Sequence, residues 1–472
     1  MFLVLPWKKV SPRSSQAGVE IFFPGKEYQV EVVRLGENNP GETLLLIGGI
    51  HGDELAGCLT VERYTRLSLK HGRMIIIPRL NRQAILTGCR GINGVDMNRL
   101  FALPEEKLPA PEGFVIQLVK KLIQEATCVV NTHQGSGFFS PVWVDSKRNP
   151  RRWGQCNVID APFFDLPRGE RISLQDFAQS VASRTNLKIA DARYHFQINN
   201  TETASENSRH KQQRKSLTYY ALTKAHRMAV GIEVTKDCSL SQAVSFMTLA
   251  INAVLKELGI IPVCFPEAAL PEVKKELSRQ NSLTALKVNV SGKEIRLLKG
   301  SNLLLSPGQT LRIEGVEGYN QLGWSFYLKD SKKEIFPGSD ICLEKDTVLE
   351  VAKDNVRYGF PVRICAVQIT GLQVSINGKE RIYQPGETIF LLPGEDLKIT
   401  RVLPENLDSV KVDIKGFAGN QQHNDGQDLG YLVKREKLLP RFALNQEKTL
   451  YRIEVKSNEK LIGELFLQLQ EF

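Results

Sequence analysis

Three stretches of the sequence end a buried-strand pattern in a residue that can do acid, base or metal chemistry. The first is LLLIGGIHGDELAG, residues 44–57, where branched apolar residues give way to a glycine loop carrying His51, Asp53 and Glu54. Imidazole and carboxylate both ligate Zn²⁺, and a catalytic zinc takes three protein ligands and leaves a position for water. H-x-x-E is a short motif, and a histidine among glycines also fits an ordinary loop. The second stretch, CVVNTHQGSG at residues 128–137, repeats the arrangement with His133. The third, MAVGIEV at residues 228–234, ends a strand pattern on Glu233. A buried carboxylate without a partner is costly or takes up a proton, so Glu233 reads either as a core ion pair or as a functional group.

The elements that must position these residues follow from the spacing. Residues 17–34 alternate like one or two edge strands, residues 55–69 have helical spacing, and RMIIIP at 73–78 is a short buried strand. Strand, helix, strand implies a parallel α/β sheet, and in such sheets ligands bind beyond the carboxyl ends of the strands. His51, Glu54, His133 and Glu233 all fall there. They suit a mononuclear hydrolytic zinc site: three ligands, a water, and a second carboxylate that moves the water's proton to a leaving amine. The segment 81–101, NRQAILTGCRGINGVDMNRLF, is glycine-rich and polar and reads as a long loop. Its Arg90, Asn98 and Arg99 are solvent-facing groups on a neutral reading, and a bidentate clamp for a substrate carboxylate on a functional one. Amphipathic helices are expected at 113–126 and 240–260, with a charged connector helix at 267–280.

These residues resemble the zinc carboxypeptidases, a superfamily that includes carboxypeptidase A, aspartoacylase and succinylglutamate desuccinylase. The resemblance covers residues 20–262 and rests on H-G-D-E at 51–54, D-M-N-R at 96–99, N-T-H at 131–133 and I-E-V at 232–234. It implies that His51, Glu54 and His133 bind one zinc, that Asn98 and Arg99 hold the terminal carboxylate, and that Glu233 is the general base and acid. It implies a carbonyl-polarising role for Arg90. With three ligands assigned, Asp53 is expected to hydrogen-bond a ligand or the carboxylate-binding arginine. QGSGFF at 134–139 and KRNPRRWG at 147–154 are similar to murein tripeptide D,L-carboxypeptidases that determine cell shape and carry two β domains after the catalytic one. That implies release of meso-diaminopimelate from peptidoglycan tripeptide stems, in the periplasm. Some of those enzymes have Gln where this chain has His51. Trp153 is a candidate to pack on substrate, or a residue tucked under a loop. Tyr194, Tyr219 and Tyr220 are the candidates for a tyrosine brought over the substrate.

Composition bounds the rest. The chain has 472 residues, 42% hydrophobic and 24% charged, which suits a globular protein of about three domains. No apolar run is long enough to span a bilayer. The start, MFLVLPWKKV, lacks the basic region, apolar length and cleavage site of a signal peptide. The eight cysteines are scattered without C-x-x-C and read as free thiols. The net charge of +10 calls for an acidic partner, but no nucleic-acid-binding motif is present. Residues 209–227 hold six Lys/Arg and no acid, and 147–152 hold four more: a solvated face, or a rim that attracts peptides bearing several carboxylates.

After residue 280 the pattern changes to period 2. LKVNVSGKEIRLLKGSNLLLSPGQTLRI at 286–313 aligns without a gap to LQVSINGKERIYQPGETIFLLPGEDLKI at 372–399, an offset of 86 residues (372 less 286). Ser-Gly, Asn-Gly and Pro-Gly mark turns between alternating strands. Two small Ig-like β sandwiches are expected, with domains at 1–264, 265–364 and 365–472. They hold no catalytic cluster, and His423 is their only histidine. A scaffolding role is expected, with binding of glycan or a partner as the alternative. For the whole chain, the rivals to a peptidoglycan carboxypeptidase are a zinc deacylase of N-acyl amino acids and a non-catalytic wall-binding protein on a peptidase scaffold.

Overall fold

The computed structural model describes residues 18–166, 169–329, 333–419 and 426–471. The signal-peptide reading of residues 1–10 and the single histidine of the second half, His423, lie outside them. Contacts divide the chain into two compact units, Met1–Asn281 and Ser282–Phe472.

In the first unit the strands are β1 (Gly18–Phe22), β2 (Val30–Leu35), β3 (Thr43–Ile47), β4 (Arg73–Ile77), β5 (Cys128–Gly135), β6 (Cys156–Ile159), β7 (Gln197–Asn200) and β8 (Met228–Thr235). They form one sheet in the order β1-β2-β4-β3-β5-β8-β6-β7. The four central strands, β4, β3, β5 and β8, are parallel. They are also the most apolar: Leu44, Leu45, Leu46, Ile47, Val129, Val130 and Ile232 are wholly buried, as strands covered on both faces require. β6 turns antiparallel to β8, and β1 and β2 close the other edge antiparallel, so the sheet is mixed and mostly parallel.

Helices cover both faces. They are α1 (Leu55–Tyr64), α2 (Glu112–Glu125), α3 (Leu174–Asn186), α4 (Leu217–Thr223), α5 (Leu240–Glu257) and α6 (Leu270–Gln280). α2 and α4 bury Val115, Val119, Leu122, Leu217 and Ala221 in one core with Leu45, Ile47 and Val129. α1, α3 and α6 pack around α5. The charged helix expected to open the first β module is α6, and it belongs to the first unit. Its Gln280 donates to Leu59 O and to the wholly buried Glu62 of α1, and its Glu276 pairs with Arg63 at 2.7 Å. The segment 81–101 is not all loop either. Asn81 caps a short helix, Arg82–Thr87, by accepting from Ala84 N, and Gly88 ends it at φ 64°. That helix buries Ala84 and Ile85, an apolar pair too short to show a period in sequence.

Among the described residues the second unit holds four sheets around two cores. The repeat is exact in register. Leu286 faces Leu297 as Leu372 faces Tyr383, and Val288 faces Ile313 as Val374 faces Ile399. Each module has a bulge at the same place, at Lys287/Val288 and at Gln373/Val374. Each also has a short parallel strand, with Leu303 beside Val362 and Ile389 beside Leu467. The hairpin turns Ser291-Gly292 and Asn377-Gly378 have positive φ at both residues (48° and 94°, 48° and 80°), the tight turn that matches strand twist. Within this unit Asn302 of the first module donates from N and Nδ2 to the buried Glu464 of the second, at 3.0 and 2.7 Å. Among the described residues no helix is long and apolar enough to cross a membrane.

Candidate active site

β3 ends at Ile47, and the loop that follows must cross close to the Arg82–Thr87 helix. A side chain at Gly52 would lie 2.0 Å from the Ala84 carbonyl, so only glycine lets the H-G-D-E loop settle there. This brings His51 and Glu54 over the end of β5, where His133 sits. β8 lies beside β5 with Glu233 opposite His133. His51, Glu54 and His133 are 2%, 4% and 7% exposed. His51 Nδ1 lies 2.9 Å from Glu54 Oε1, His133 Nδ1 lies 2.9 Å from Glu54 Oε2, and the two Nδ1 atoms are 3.2 Å apart.

The far nitrogens test whether this donor set fits a metal. His51 Nε2 stands 3.1 Å from Asp96 Oδ1, so Nε2 carries the hydrogen and Nδ1 presents a lone pair. Asn131 Nδ2 is 2.8 Å from His133 Nε2, while Asn131 Oδ1 is buried without a partner. Turning that amide half a turn lets Oδ1 accept from Nε2–H and frees the His133 Nδ1 lone pair as well. Two imidazole lone pairs and a carboxylate then converge from within 4.8 Å of one another, a buried acceptor-only set that fits a cation.

Electrostatics follow from the same crowding. Burial alone would raise the Glu54 carboxyl, but the charges and hydrogen bonds of His133 and His51 hold it well below the usual carboxylate range. Burial raises Asp96 too, and is outweighed by its bond to His51 and by the charges of His51, Arg90 and Arg99. Glu233 goes the other way: burial and then the Glu54 charge push it well up, against the pull of Arg90, Lys236 and Arg99. Of two carboxylates in one cleft, one is fixed as an anion and the other is poised to take a proton.

Eight of the residues singled out from sequence line one cleft of about 340 Å³: His51, Glu54, His133, Glu233, Arg90, Asn98, Arg99 and Trp153. Arg90 donates from Nε to Asp96 Oδ2 (3.0 Å) and from Nη1 to Glu54 Oε1 (3.2 Å). Asn98 is buried, and its Oδ1 accepts from Leu217 N at the start of α4. Arg99 Nη1 donates to Asn98 O at 3.0 Å. The Trp153 indole meets the His210 ring edge-on, centroids 5.0 Å apart.

Two expectations fail. Asp53 touches neither a ligand nor an arginine; it pairs with Lys236 at 2.8 Å, because its side chain leaves the buried loop toward solvent. Asp96 takes the place expected of it, joining His51, Arg90 and Asn98 N. The D-M-N-R motif carried that signal, since an aspartate two residues before Asn98 caps the turn Met97–Arg99. None of the three candidate tyrosines lines the cleft. Tyr194 stacks on Phe246 and Tyr220 packs against Phe101. Part of the basic cluster pins loops: Arg152 donates to Ser146 O and Arg214 to Thr203 O.

A sheet of this order with two histidines and a glutamate at its carboxyl edge is the framework of a metallocarboxypeptidase. The chain belongs to the family described as carboxypeptidases controlling helical cell shape, whose catalytic-domain model matches residues 27–264. A model for the C-terminal domain of metallo-carboxypeptidases matches residues 366–470. Among solved structures, the apo cell shape determinant Csd4 of Helicobacter pylori is similar at TM-score 0.64 and 22% identity, over 93% of this chain and 100% of that one. The mDAP-bound form of Helicobacter pylori Csd4, a D,L-carboxypeptidase, is similar at TM-score 0.62 and 22% identity, over 91% and 97%. At that identity the likeness is one of fold. The N-alpha-acetyl-L-2,4-diaminobutyric acid deacetylase of Halomonas elongata is 33% identical over 151 residues, 28% of this chain. The match spans 42% of that relative's length.

Proposed function

We propose that this protein is a zinc carboxypeptidase that removes the C-terminal residue, meso-diaminopimelate, from peptidoglycan tripeptide stems in the periplasm. The reading rests on one observation above all: a buried His-Glu-His set, a proton-seeking Glu233 and an arginine-asparagine wall meet in one cleft of a chain from a cell-shape carboxypeptidase family. The Csd4 structures with tripeptide and with mDAP support the substrate class.

His51 Nδ1, Glu54 and His133 Nδ1 would hold the zinc. When bound, the ion supplies a water of lowered pKa and a Lewis acid for the scissile carbonyl. Arg99 and Asn98 grip the terminal carboxylate and so place the scissile bond over the centre. Arg90 polarises the carbonyl and stabilises the charge that develops on its oxygen. Glu233 takes a proton from the attacking water as the C–O bond forms, then gives it to the amine nitrogen as the C–N bond breaks. Trp153 offers its face to the peptide. The β modules, within domains at 265–364 and 365–472, serve as scaffold.

A deacylase of N-acyl amino acids is the second reading, and the Halomonas relative favours it. Both are tested by incubating the zinc-loaded full chain with tri-, tetra- and pentapeptide muropeptides, N-acetyl-aspartate and N-acetyl-diaminobutyrate, with products identified by mass. Diaminopimelate released from tripeptide alone is the expected result. Acetate released from the acetylated amino acids, with the tripeptide intact, sinks the carboxypeptidase.

A further inference from the structure

Glu54 stands at a helix start that its own side chain does not serve. It is the N-cap residue of α1, yet it makes no side-chain capping bond. An N-cap side chain ordinarily accepts from the second or third amide of its helix, and serine, threonine, aspartate and asparagine do this best. The Glu54 carboxylate is turned instead to the two imidazoles, with Oε1 2.9 Å from His51 Nδ1 and Oε2 2.9 Å from His133 Nδ1. The first turn of α1 must therefore be satisfied from elsewhere.

Gln134 satisfies it from the neighbouring strand. Its Oε1 accepts from Ala56 N, the second amide of α1, at 2.9 Å. The next amide, Gly57 N, reaches Glu54 O at 3.2 Å. Strand and helix approach closely here: a side chain at Gly57 would lie 2.8 Å from Thr132 Oγ1, and that hydroxyl is itself held by Ile47 O at 2.9 Å. Thr132 and Gln134 are two apart on β5 and face α1 together, so His133 between them faces the other way.

The same residue holds the other end of Glu54. Gln134 N donates to Glu54 Oε2 at 3.0 Å. The Gln134 side chain thus fixes the main chain just beyond Glu54, and the Gln134 main chain fixes the Glu54 carboxylate. Because His133 is the preceding residue of β5, this one contact sets the spacing of two ligands carried by different elements.

We propose that Gln134 is a positioning residue: it caps α1 in place of Glu54, and so leaves the Glu54 carboxylate free to serve as a zinc ligand at a fixed distance from His133. This rests on the zinc reading of the His51, Glu54 and His133 set and deepens it. Contacts that orient a metal ligand are worth about 10- to 100-fold in metal affinity.

The test measures the zinc affinity of the full chain by competition with a chelator, in the absence of substrate, so that any contact of Gln134 with a peptide does not enter. Gln134→Met keeps the length, removes the acceptor oxygen and should weaken zinc binding about 10-fold. Its cobalt-substituted form should show an altered visible spectrum, because the ligand field follows the Glu54 oxygen. Gln134→Glu keeps an acceptor at the same reach, at a helix start that favours negative charge, and should bind zinc at least as tightly as wild type. Ser173→Ala removes a cap of similar kind from α3, where Ser173 Oγ accepts from Asp176 N at 3.0 Å, and should leave zinc affinity unchanged. In the metal-free chain, amide exchange at the start of α1 should quicken in Gln134→Met and not in the other two. Zinc affinity or amide exchange unchanged in Gln134→Met, or affinity weakened equally in Gln134→Glu or Ser173→Ala, overturns the inference alone. Wild-type protein that binds no zinc overturns the zinc reading and this inference with it.

Discussion

At the carboxyl ends of β3, β5 and β8 the first unit collects buried histidines and carboxylates, whereas the strands of the second unit repeat one register and end in ordinary turns. The contrast lies in where polar groups are spent. In the first unit, polar side chains from strand ends and the loops beyond them converge and hold one another: Asp96 alone joins His51, Arg90 and Asn98 N. In the second, core residues such as Leu286 and Leu372, or Ile313 and Ile399, are interchangeable between modules at an offset of 86 (372 less 286). A sheet that builds a site cannot repeat itself, because each strand end carries a different group. A sheet that repeats one register is under no such constraint.

Five substitutions would break or sharpen that division. The largest effect is expected from Glu233→Ala, which should cut kcat by about 10³-fold, within the range for a lost general base, while zinc content stays at one per chain. Unchanged hydrolysis would remove Glu233 from the mechanism. Leu372→Ala opens a cavity in the second core and should destabilise that unit by about 2–5 kcal/mol in denaturant unfolding, with kcat/KM unchanged. A matching loss of activity would show that the two units do not divide labour as described.

The third change concerns pH. Glu464 is pushed up to about 7 by burial, despite the donors of Asn302 and the nearby Arg452. Its unfolded value lies near 4.3, so the folded state binds the extra proton. The sign is therefore opposite to that of a salt-bridged carboxylate. Its contribution is fully present below about pH 4.3 and is lost as pH rises through 7, by about 4 kcal/mol in total. The difference in stability between wild type and Glu464→Gln, followed from pH 4 to 8, should show that fall. A flat difference would exclude it. The smallest effect is expected from Gly378→Ala, about 1–2 kcal/mol, since φ there is 80°. Gly292→Ala, at φ 94°, should cost about the same if the two modules are equivalent.

His133 and Glu233 were legible in sequence because each interrupts an apolar strand near its end, where an acid or imidazole has no packing reason to be, and His51 and Glu54 because they follow such a strand in a glycine loop. The repeat was legible down to its register, because turn glycines and alternating apolar residues fall at one fixed offset. Asp96 was legible only as the first letter of D-M-N-R, since it lies in a polar, glycine-rich stretch where an aspartate looks like any loop residue. Its value comes from a loop that returns over β3, a contact between residues 45 apart in sequence. The short helix at Arg82–Thr87 depends on the Asn81 cap more than on any apolar pattern.

The docking of α6 on α1 bears on how the protein can be dissected. The catalytic family match ends at residue 264, which invites a cut there. Such a truncation would remove Glu267, Glu276 and Gln280, and with them the groups that meet Arg63 and the wholly buried Glu62. Those two residues close the same helix that begins beside Glu54. A fragment excised at the family boundary would expose the charged partners at the C-terminal end of α1, the helix that begins beside Glu54. The shortest faithful fragment runs on to Asn281.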